Sequence, residues 1–291
     1  MTCCLLDGTG LMFQAFHGMP SMEYKGRHTG AAFGFLRWVL QIVLQYRTPH
    51  VVVFFDSRNN IRKDLDPEYK ANRPPTPYDI TYQFEIAREA CSAFGIKSFV
   101  SDGYEADDCI ASWVNNRPGP FAVVSADKDL MQLLRSDLHI WHPMRRKVVR
   151  EAELMEKWGI RPHQVIDFQA LVGDSVDNVP GVPGIGLKRA AALLNEYHTI
   201  EGIYEHMDIL PQKIAKSLDE SRDLLAKSHA LVTLRLDVDL GDAVSNIDCC
   251  YDRAHAFLVK NNFLSLRGIL SDVVEFLRIN SSCNDDAVAT Q

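Results

Sequence analysis

Residues 51–56 read Val-Val-Val-Phe-Phe-Asp, which is five apolar residues followed by a carboxylate. A short apolar run of β-branched and aromatic residues is typical of a strand that is buried on both faces of a sheet. Strands of that kind belong to parallel sheets, in which ligands bind beyond the carboxyl ends of the strands. The hexapeptide therefore predicts a parallel sheet with Asp56 on its functional edge.

The same kind of apolar run occurs before and after this segment. Further buried strands are predicted at Cys3 to Leu6, Ile96 to Val100, Phe121 to Ser125 and Leu138 to His142. Apolar residues repeat at helical spacing between the first two strands, at Phe33, Leu36, Val39, Leu40 and Val43. Strands that alternate with helices imply right-handed crossovers. The predicted fold class is α/β, with a mainly parallel central sheet flanked by helices.

The rest of the chain divides into three predicted units around this sheet. Residues 57–93 form a long polar insertion within a core of residues 1–160, and its Pro74 and Pro75 should end any helix built on residues 66–72. We therefore expect two helices joined by an extended Pro-rich turn. Residues 161–280 predict a helical lobe that contains a Gly- and Pro-rich block, and the small polar residues 281–291 predict a disordered tail.

Composition excludes several classes of protein. The chain of 291 residues is 46% apolar, so it can bury a sizeable core. No apolar run reaches the roughly 18 residues of a membrane span, and no targeting segment precedes the first strand. Seven cysteines without a CxxC pair indicate reduced thiols, with neither a disulfide framework nor a zinc site. We expect a cytoplasmic, nucleoid-associated protein, with a monomer as the default.

The net charge of −7 argues at first against nucleic acid as a partner. Nine acids, however, are candidates for metal ligation. Setting these nine aside from the 38 acids leaves 29 acids against 31 bases, a balance of +2. Net charge therefore does not decide whether the protein binds nucleic acid.

The nine candidate metal ligands fall at predicted strand ends or in acidic pairs. They are Asp7, Asp56, Glu105, Asp107, Asp108, Asp127, Asp129, Asp174 and Asp177. Any one of them alone is more commonly a helix N-cap or a loop residue. Gathered at one sheet edge, nine acids would repel one another unless cations neutralised them. Oxygen ligands without His or Cys favour Mg²⁺, with Mn²⁺ as a substitute, and two such ions suit attack on a phosphodiester.

Six stretches in fixed order resemble the 5′-nuclease family, specifically the bacterial 5′–3′ exonucleases that occur alone or as the N-terminal domain of DNA polymerase I. Flap endonucleases are more distant relatives. The stretches are residues 6–8, 53–56, 69–75 (Tyr-Lys-Ala-Asn-Arg-Pro-Pro), 105–108 (Glu-Ala-Asp-Asp), 127–129 (Asp-Lys-Asp) and 173–186. The resemblance covers residues 4 to 240. It implies a PIN-like core, a helical arch at residues 57–93, and a helix-three-turn-helix at about residues 165–196 in a DNA-binding lobe.

The resemblance also implies a division of labour at the metal site. Asp7, Asp56, Glu105 and Asp107 would serve one ion, and Asp127, Asp129 and Asp177 the other, with Asp108 and Asp174 in support. Lys70 and Arg73 would point from the arch at the scissile phosphate and stabilise charge in the transition state. From the residues alone, a solvated helix face is an equal alternative for Lys70 and Arg73.

The implied DNA contacts lie in the arch and in the Gly-rich block. Gly181, Gly184 and Gly186 would let backbone amides approach a phosphate, next to the helix that opens at Lys188 and Arg189. An ordinary Gly-Pro turn between helices is the alternative. Many family members hold a potassium ion in this turn, and the sequence does not decide whether this chain binds one.

Two aromatic residues complete the implied DNA contacts. Tyr69, in the arch motif, is assigned to DNA, and Phe13 to stacking on a base, although an aromatic residue at such a position is more often simply core. Gln14 departs from the family, because bacterial members usually carry Arg there.

The expected function is a structure-specific 5′-nuclease, both 5′–3′ exonuclease and flap endonuclease, that acts in DNA replication or repair, such as the removal of RNA primers or flaps. Its expected substrates are branched or 5′-flap DNA and RNA–DNA hybrids. Two alternatives remain. A PIN-like ribonuclease would be shorter and lack both arch and Gly-rich turn, and a non-catalytic DNA-binding paralogue would have lost some of the nine acids.

Overall fold

This computed structural model describes the backbone of residues 1–288 and the side chains of residues 1–280. Strands and helices alternate along the first half of this range. The strands are β1 Cys3–Asp7, β2 Glu23–Tyr24, β3 Arg27–His28, β4 Val51–Phe55, β5 Lys97–Val100, β6 Phe121–Val124, β7 Leu138–His142 and β8 Lys147–Val149. The helices are α1 Gly8–Gly18, α2 Gly30–Tyr46, α3 Arg62–Leu65, α4 Tyr78–Ala93, α5 Ala106–Asn115, α6 Glu151–Trp158, α7 Val165–Val172, α8 Leu187–Tyr197, α9 Ile200–Glu205, α10 Gln212–Glu220, α11 Arg222–Val232, α12 Tyr251–Lys260 and α13 Arg267–Val288.

Six of these strands form one sheet in the order β5-β4-β1-β6-β7-β8. All neighbours are parallel except β7 and β8, and Leu6 of β1 pairs with Val53 on one side and Val124 on the other. The predicted α/β class with a mainly parallel sheet is confirmed. Two features were not predicted: the antiparallel edge strand β8 and the separate β2–β3 hairpin. Their strands have three residues or fewer, too short for a periodic pattern.

The central strands are apolar throughout because both faces of the sheet are covered. Val52 and Phe54 of β4 belong to one apolar cluster, with α5, α7 and the helical lobe. Val53 and Phe55 belong to the other, with α1, α2, α4 and α12. Alternate side chains of a strand point to opposite faces, and each large apolar residue buried this way contributes about 1.5–3 kcal/mol. The carboxyl edge of the sheet is thereby fixed between two packed layers.

The insertion at residues 57–93 differs in part from its prediction. Its second helix is α4, which packs on α2, where the buried Gln83 side chain accepts hydrogen bonds from the amides of Ala31 and Ala32. Its first helix is the single turn α3, and residues 66–72 form turns where a helix was expected. Lys70 has a φ of 58°, which a helix does not allow.

The second half of the chain is helical, as the sequence predicted. Helices α7 and α8 flank residues 173–186, the Gly- and Pro-rich block. The backbone of α13 continues to Val288, through part of the stretch predicted to be disordered. The side chains from residue 281 onward and all of residues 289–291 lie outside the described part, so a disordered tail stays a prediction. Within the described residues, no helix is both long and apolar enough to cross a bilayer.

Candidate active site

Acidic side chains from separate parts of the sequence meet at the carboxyl edge of the sheet. Asp7 ends β1, Asp56 follows β4, and Asp127 comes three residues after the end of β6. Together with Glu105 and Asp107 they line a cleft of about 370 Å³. The topology explains this meeting, because β4, β1 and β6 are adjacent and parallel, so their carboxyl ends lie side by side. The predicted gathering of acids at this edge is present for these five residues.

Hydrogen bonds from neighbouring segments fix the first two acids. The Asp7 carboxylate accepts from the amide of Gly10 at 2.7 Å and from the Ser125 hydroxyl at 2.8 Å. Asp56 accepts from the amide of Ala106, the first residue of α5, at 2.8 Å. Each carboxylate is therefore oriented before any ligand arrives. Ser125 was not singled out from the sequence, although its place at the end of a buried strand beside the acids could have indicated this role.

A tighter group lies beside them. Oxygens of Asp107, Asp127 and Asp129 fall within 4.8 Å of one another. The amide of Asp129 donates to Asp127 at 2.9 Å, and the Gln169 amide nitrogen donates to Asp129 at 2.5 Å. Gln169 is buried in α7, and its side-chain oxygen has no partner. The available signal for Gln169, which was not singled out from the sequence, is a polar residue between the apolar Phe168 and Ala170 of α7.

The proton affinities of these acids reflect their crowding. Burial, and after it the charge of Asp56, raises the pKa of Asp7 to about 7. Burial and the charge of Asp127 raise the pKa of Asp129 to about 7, while burial and the charge of Glu105 raise that of Asp56 to about 6. The pKa values of Asp107 and Asp127 are also raised, mainly by burial. The site thus resists holding all its negative charges without compensating cations.

Carboxylate oxygens without nitrogen or sulfur donors fit hard divalent cations of the magnesium type. The 4.8 Å span of Asp107, Asp127 and Asp129 is compatible with one ion held by all three. The raised pKa values point the same way, because a bound cation would favour the charged carboxylates. The residues present therefore fit the metal site that the sequence predicts.

Two cations of the insertion reach into the cleft. Lys70 forms ion pairs with Glu105 and, at 3.6 Å, with Asp177, and Arg73 forms an ion pair with Asp177. Burial alone would raise the pKa of Glu105, but Lys70 and Arg62 lower it below its usual range. Burial alone would lower the pKa of Lys70, but the nearby charges of Glu105 and Asp177 raise it well above its usual value. Lys70 and Arg73 therefore line the site instead of standing on a solvated helix face.

The turn that carries these cations, residues 66–73, is bound to the loop at residues 174–178. The amide of Lys70 donates to the Asp177 carbonyl at 2.9 Å. The side chain of Asn72 donates to the Ser175 carbonyl at 2.6 Å, and that of Asn178 to the Glu68 carbonyl at 2.8 Å. Backbone and side-chain bonds together thus bring the insertion over the acids. The sequence motifs placed these residues near one site but did not show this contact.

Asp108 differs from the other candidate ligands. It is fully buried, and its two oxygens accept from the guanidinium of Arg62 at 2.6 and 2.8 Å. It also accepts from the amides of Glu105 and Arg235. With both oxygens engaged, it is not free to ligate a metal here, so its place is the supporting one. Arg62 was not singled out from the sequence, which gives no local sign of its partner.

Two further assignments are modified by burial. Tyr69 is 2% exposed and its hydroxyl donates to Glu105 at 3.0 Å, unlike the surface contact with DNA that the sequence predicted. Its aromatic ring faces the core, and its hydroxyl helps to position a candidate ligand. Asp174 is also buried and pairs with Lys128 at 2.9 Å, outside the group that lines the cleft.

The Gly-rich block has an inner and an outer part. Gly181 packs on the carbonyl of Val172, where an added Cβ would come within 2.2 Å, so close packing requires glycine here and the phosphate contact stays a prediction. Gly184, with a φ of 80°, and Gly186 have open space above them. They are exposed together with Lys188 and Arg189 at the start of α8. This outer part is the surface that a phosphate could approach.

Phe13 and Gln14, on the first helix after Asp7, line the same cleft as the acids. The Phe13 ring meets Phe84 edge-to-face at 6.0 Å and stays half-buried. Gln14 has a buried side-chain oxygen without a partner. Phe13 thus satisfies both alternatives, core packing on one side and access to the cleft on the other.

Comparison with known proteins identifies similar sequences and folds. Residues 2–159 match the family model "5'-3' exonuclease, N-terminal resolvase-like domain", and residues 160–253 match "5'-3' exonuclease, C-terminal SAM fold". DNA polymerase I of Rhizobium leguminosarum is 40% identical over 250 residues, 81% of this chain and 25% of that protein. A 5'-3' exonuclease of Aquifex aeolicus is 29% identical over 282 residues, 95% of this chain and 96% of that protein.

A solved structure shares the fold. It is the bacteriophage T5 flap endonuclease in a pseudo-enzyme-product complex with DNA and metal ions, with a TM-score of 0.70 and 23% identity over 96% of this chain and 100% of that one. The chain spans only about a quarter to a third of the length of the DNA polymerase I relatives that it matches.

Proposed function

Because this chain belongs to the 5′-3′ exonuclease family, we propose that it is a structure-specific 5′-nuclease that hydrolyses DNA phosphodiesters with divalent metal ions. The proposed substrates are branched or 5′-flapped DNA and RNA–DNA hybrids, and the proposed ions are two Mg²⁺, replaceable by Mn²⁺. The motif-based resemblance to the 5′-nuclease family is confirmed by the same matches.

One observation carries the proposal. Five acids line a single cleft, and oxygens of two of them, Asp107 and Asp127, lie within 4.8 Å of one another and of an Asp129 oxygen. Burial and mutual repulsion raise most of the pKa values of these acids. A folded protein maintains such a destabilising cluster where function needs it. Divalent ions bound there would lower the pKa of an attacking water and neutralise charge on the phosphate.

The protein's own groups supply orientation and charge. Ser125, Gly10 and Ala106 hold the carboxylates of Asp7 and Asp56 in place through hydrogen bonds. Prior orientation of this kind removes the need to rearrange ligands when the substrate binds. Asp107, Asp127 and Asp129 are proposed as ligands, and Gln169 as the residue that orients Asp129.

Lys70 and Arg73 are proposed to act on the substrate phosphate. Their side chains pair with Glu105 and Asp177. Divalent ions would compete for the same carboxylates, which would free both side chains to donate to phosphate oxygens. Lys70→Ala is expected to lower single-turnover cleavage at least tenfold while flap affinity changes less than threefold. A drop in affinity alone would remove Lys70 from the chemical step.

The exposed part of the Gly-rich block is proposed to bind duplex DNA. The amides near Gly184 and Gly186 and the amino end of α8 offer donors to a phosphate without reading bases. Lys188 and Arg189 add positive charge at the same end. Gly184→Pro should weaken duplex affinity while leaving Mn²⁺ binding unchanged, and unaltered duplex affinity would exclude this surface.

The decisive assay is cleavage of a labelled 5′-flap duplex with Mg²⁺ beside Asp56→Asn and Asp177→Asn. We expect cutting near the junction by the wild type and a loss of at least a hundredfold in each variant. Equal cutting by all three proteins would refute the metal assignment. Cleavage of single-stranded RNA alone would favour a PIN-like ribonuclease, and binding without cutting would favour a non-catalytic paralogue.

A further inference from the structure

A second cleft adjoins the acid-lined one, beside strands β7 and β8. Its volume is also about 370 Å³, and Ala126 lines both clefts. Its floor is apolar, formed by Met131, Val149 and Leu154. The two clefts therefore lie side by side and share the residue that precedes Asp127.

The walls of this second cleft are predominantly basic. They are formed by Lys128, Arg145, Lys147 and Lys157, with His142, Glu153 and Glu156 between them. Lys128 is neutralised by Asp174, and the Glu153 carboxylate accepts from the amide of Arg150. Within residues 1–280, Arg145, Lys147 and Lys157 have no carboxylate within 4.0 Å. Three exposed cations thus share one cleft without a carboxylate partner, and the Lys157 ammonium lies over the Trp158 ring, 4.9 Å from its centre.

The concentration of charge is unusual for this chain. Residues 138–150 contain four bases and no acid, in a protein whose net charge is −7. The β7–β8 hairpin presents them beside Lys157 of α6. Burial, and then the charges of Arg145 and Lys128, lowers the pKa of Lys157. Cations held close together are unfavourable unless an anion joins them, because like charges repel.

We propose that this basic cleft binds phosphate groups of the nucleic acid next to the scissile bond. The inference rests on the proposed nuclease function. Because this cleft adjoins the acid-lined one, we expect the DNA strand that is cut there to occupy it as well. Exposed lysines that act as point charges suit a phosphodiester backbone, whose recognition needs charge but no base pattern. Arg145, Lys147 and Lys157 would therefore add affinity without taking part in the chemical step.

The test compares two triple variants of equal charge. One is Arg145→Gln, Lys147→Gln and Lys157→Gln. The control is Arg88→Gln, Lys97→Gln and Arg267→Gln, three exposed cations on α4, β5 and α13, away from the cleft. Fluorescence anisotropy with flap DNA in EDTA, between 50 and 200 mM KCl, gives the slope of log K against log salt. Thermal melting confirms that both variants fold.

The slope of log K against log salt should be less steep in the cleft variant by about 0.9 for each phosphate contact, or by about 2 to 3 for three contacts. The control should keep the wild-type slope within about 0.5. Single-turnover cleavage at saturating DNA should be unchanged in the cleft variant. If folding of the triple variant fails, Lys157→Gln alone should lose about 0.9 of slope.

Three outcomes would overturn the proposal. Equal slopes in the two triple variants would show that the cleft does not touch DNA. A lower cleavage rate at saturating DNA would place the cluster in the chemistry. Inorganic phosphate could raise the melting temperature of the wild type but not of the cleft variant, while the cleft variant keeps the wild-type slope for DNA. That result would make the cleft a site for free phosphate. Binding is measured without metal, so a wild type that fails to cut would refute the nuclease function and leave this inference intact.

Discussion

Replacing Asp108 by Asn removes a negative charge from a place that solvent does not reach. The carboxylate is fully buried, and its Arg62 partner is 5% exposed in its side chain. Asn keeps the shape and one acceptor oxygen, but its amide group then faces a donor of Arg62 and the backbone amide of either Glu105 or Arg235. The variant therefore tests whether this acid supports the fold or binds metal.

The size of the effect follows from the contacts. Breaking a buried ion pair by neutralising one partner costs roughly 3–5 kcal/mol. Arg62 would retain Glu105 at 3.3 Å and the carbonyls of Leu231 and Thr233, so we take the lower end, about 3 kcal/mol. For a chain of 291 residues, that corresponds to a fall in Tm of about 5 °C.

The assay is thermal unfolding in EDTA combined with Mn²⁺ titration by calorimetry. Asp107→Asn, one residue away, is the matched control. Burial and the charges of Asp127 and Glu105 raise the pKa of Asp107, so neutralising it should leave the metal-free Tm equal or higher. Its Mn²⁺ affinity should fall at least tenfold, whereas Asp108→Asn should keep Mn²⁺ affinity within about threefold.

The reasoning would be refuted by the reverse pattern. An unchanged Tm with lost Mn²⁺ binding in Asp108→Asn would make this acid a ligand. It would also mean that the ion pair with Arg62 opens when metal enters.

Three further outcomes are expected. Since the pKa of groups such as Asp7 is raised to about 7, the folded metal-free protein retains protons that the unfolded chain has released. Its unfolding free energy in EDTA should then fall as pH rises from about 4 to 7, and saturating Mg²⁺ should abolish the decline in urea titrations. Tyr69→Phe should lose about 1 kcal/mol of stability through its bond to Glu105, with unchanged DNA affinity by anisotropy. Gly181→Ala should lower the Tm by several degrees and Gly186→Ala should not, because only the first added Cβ meets backbone.

The sequence predicted the sheet and its acidic edge because both depend on local patterns. Val51–Phe55 is apolar without interruption, and that pattern has one common structural explanation, a strand covered on both faces. Asp56 then had to follow at the carboxyl edge. The order of motifs placed the remaining acids through resemblance, and most of them line or adjoin the same cleft.

What the sequence did not predict depends on contacts between distant segments. Tyr69 was assigned to DNA through the arch motif, yet Glu105 and the core enclose it. Arg62 looked like one base among several, and only tertiary packing brings Asp108 to it. The turn at Lys70 replaces a helix because its amide bonds to the Asp177 carbonyl, 107 positions further along the chain. Such pairings have no local pattern.

The hydrogen bonds between residues 66–73 and 174–178 also limit which segments of this protein could be exchanged for those of a relative. Exchanging the insertion alone for one without Asn at position 72 would leave the Ser175 carbonyl without its side-chain donor. Exchanging the Gly-rich block alone would do the same to Glu68. Two segments about a hundred residues apart thus depend on each other's hydrogen bonds. A functional chimaera would have to take both segments from the same parent protein.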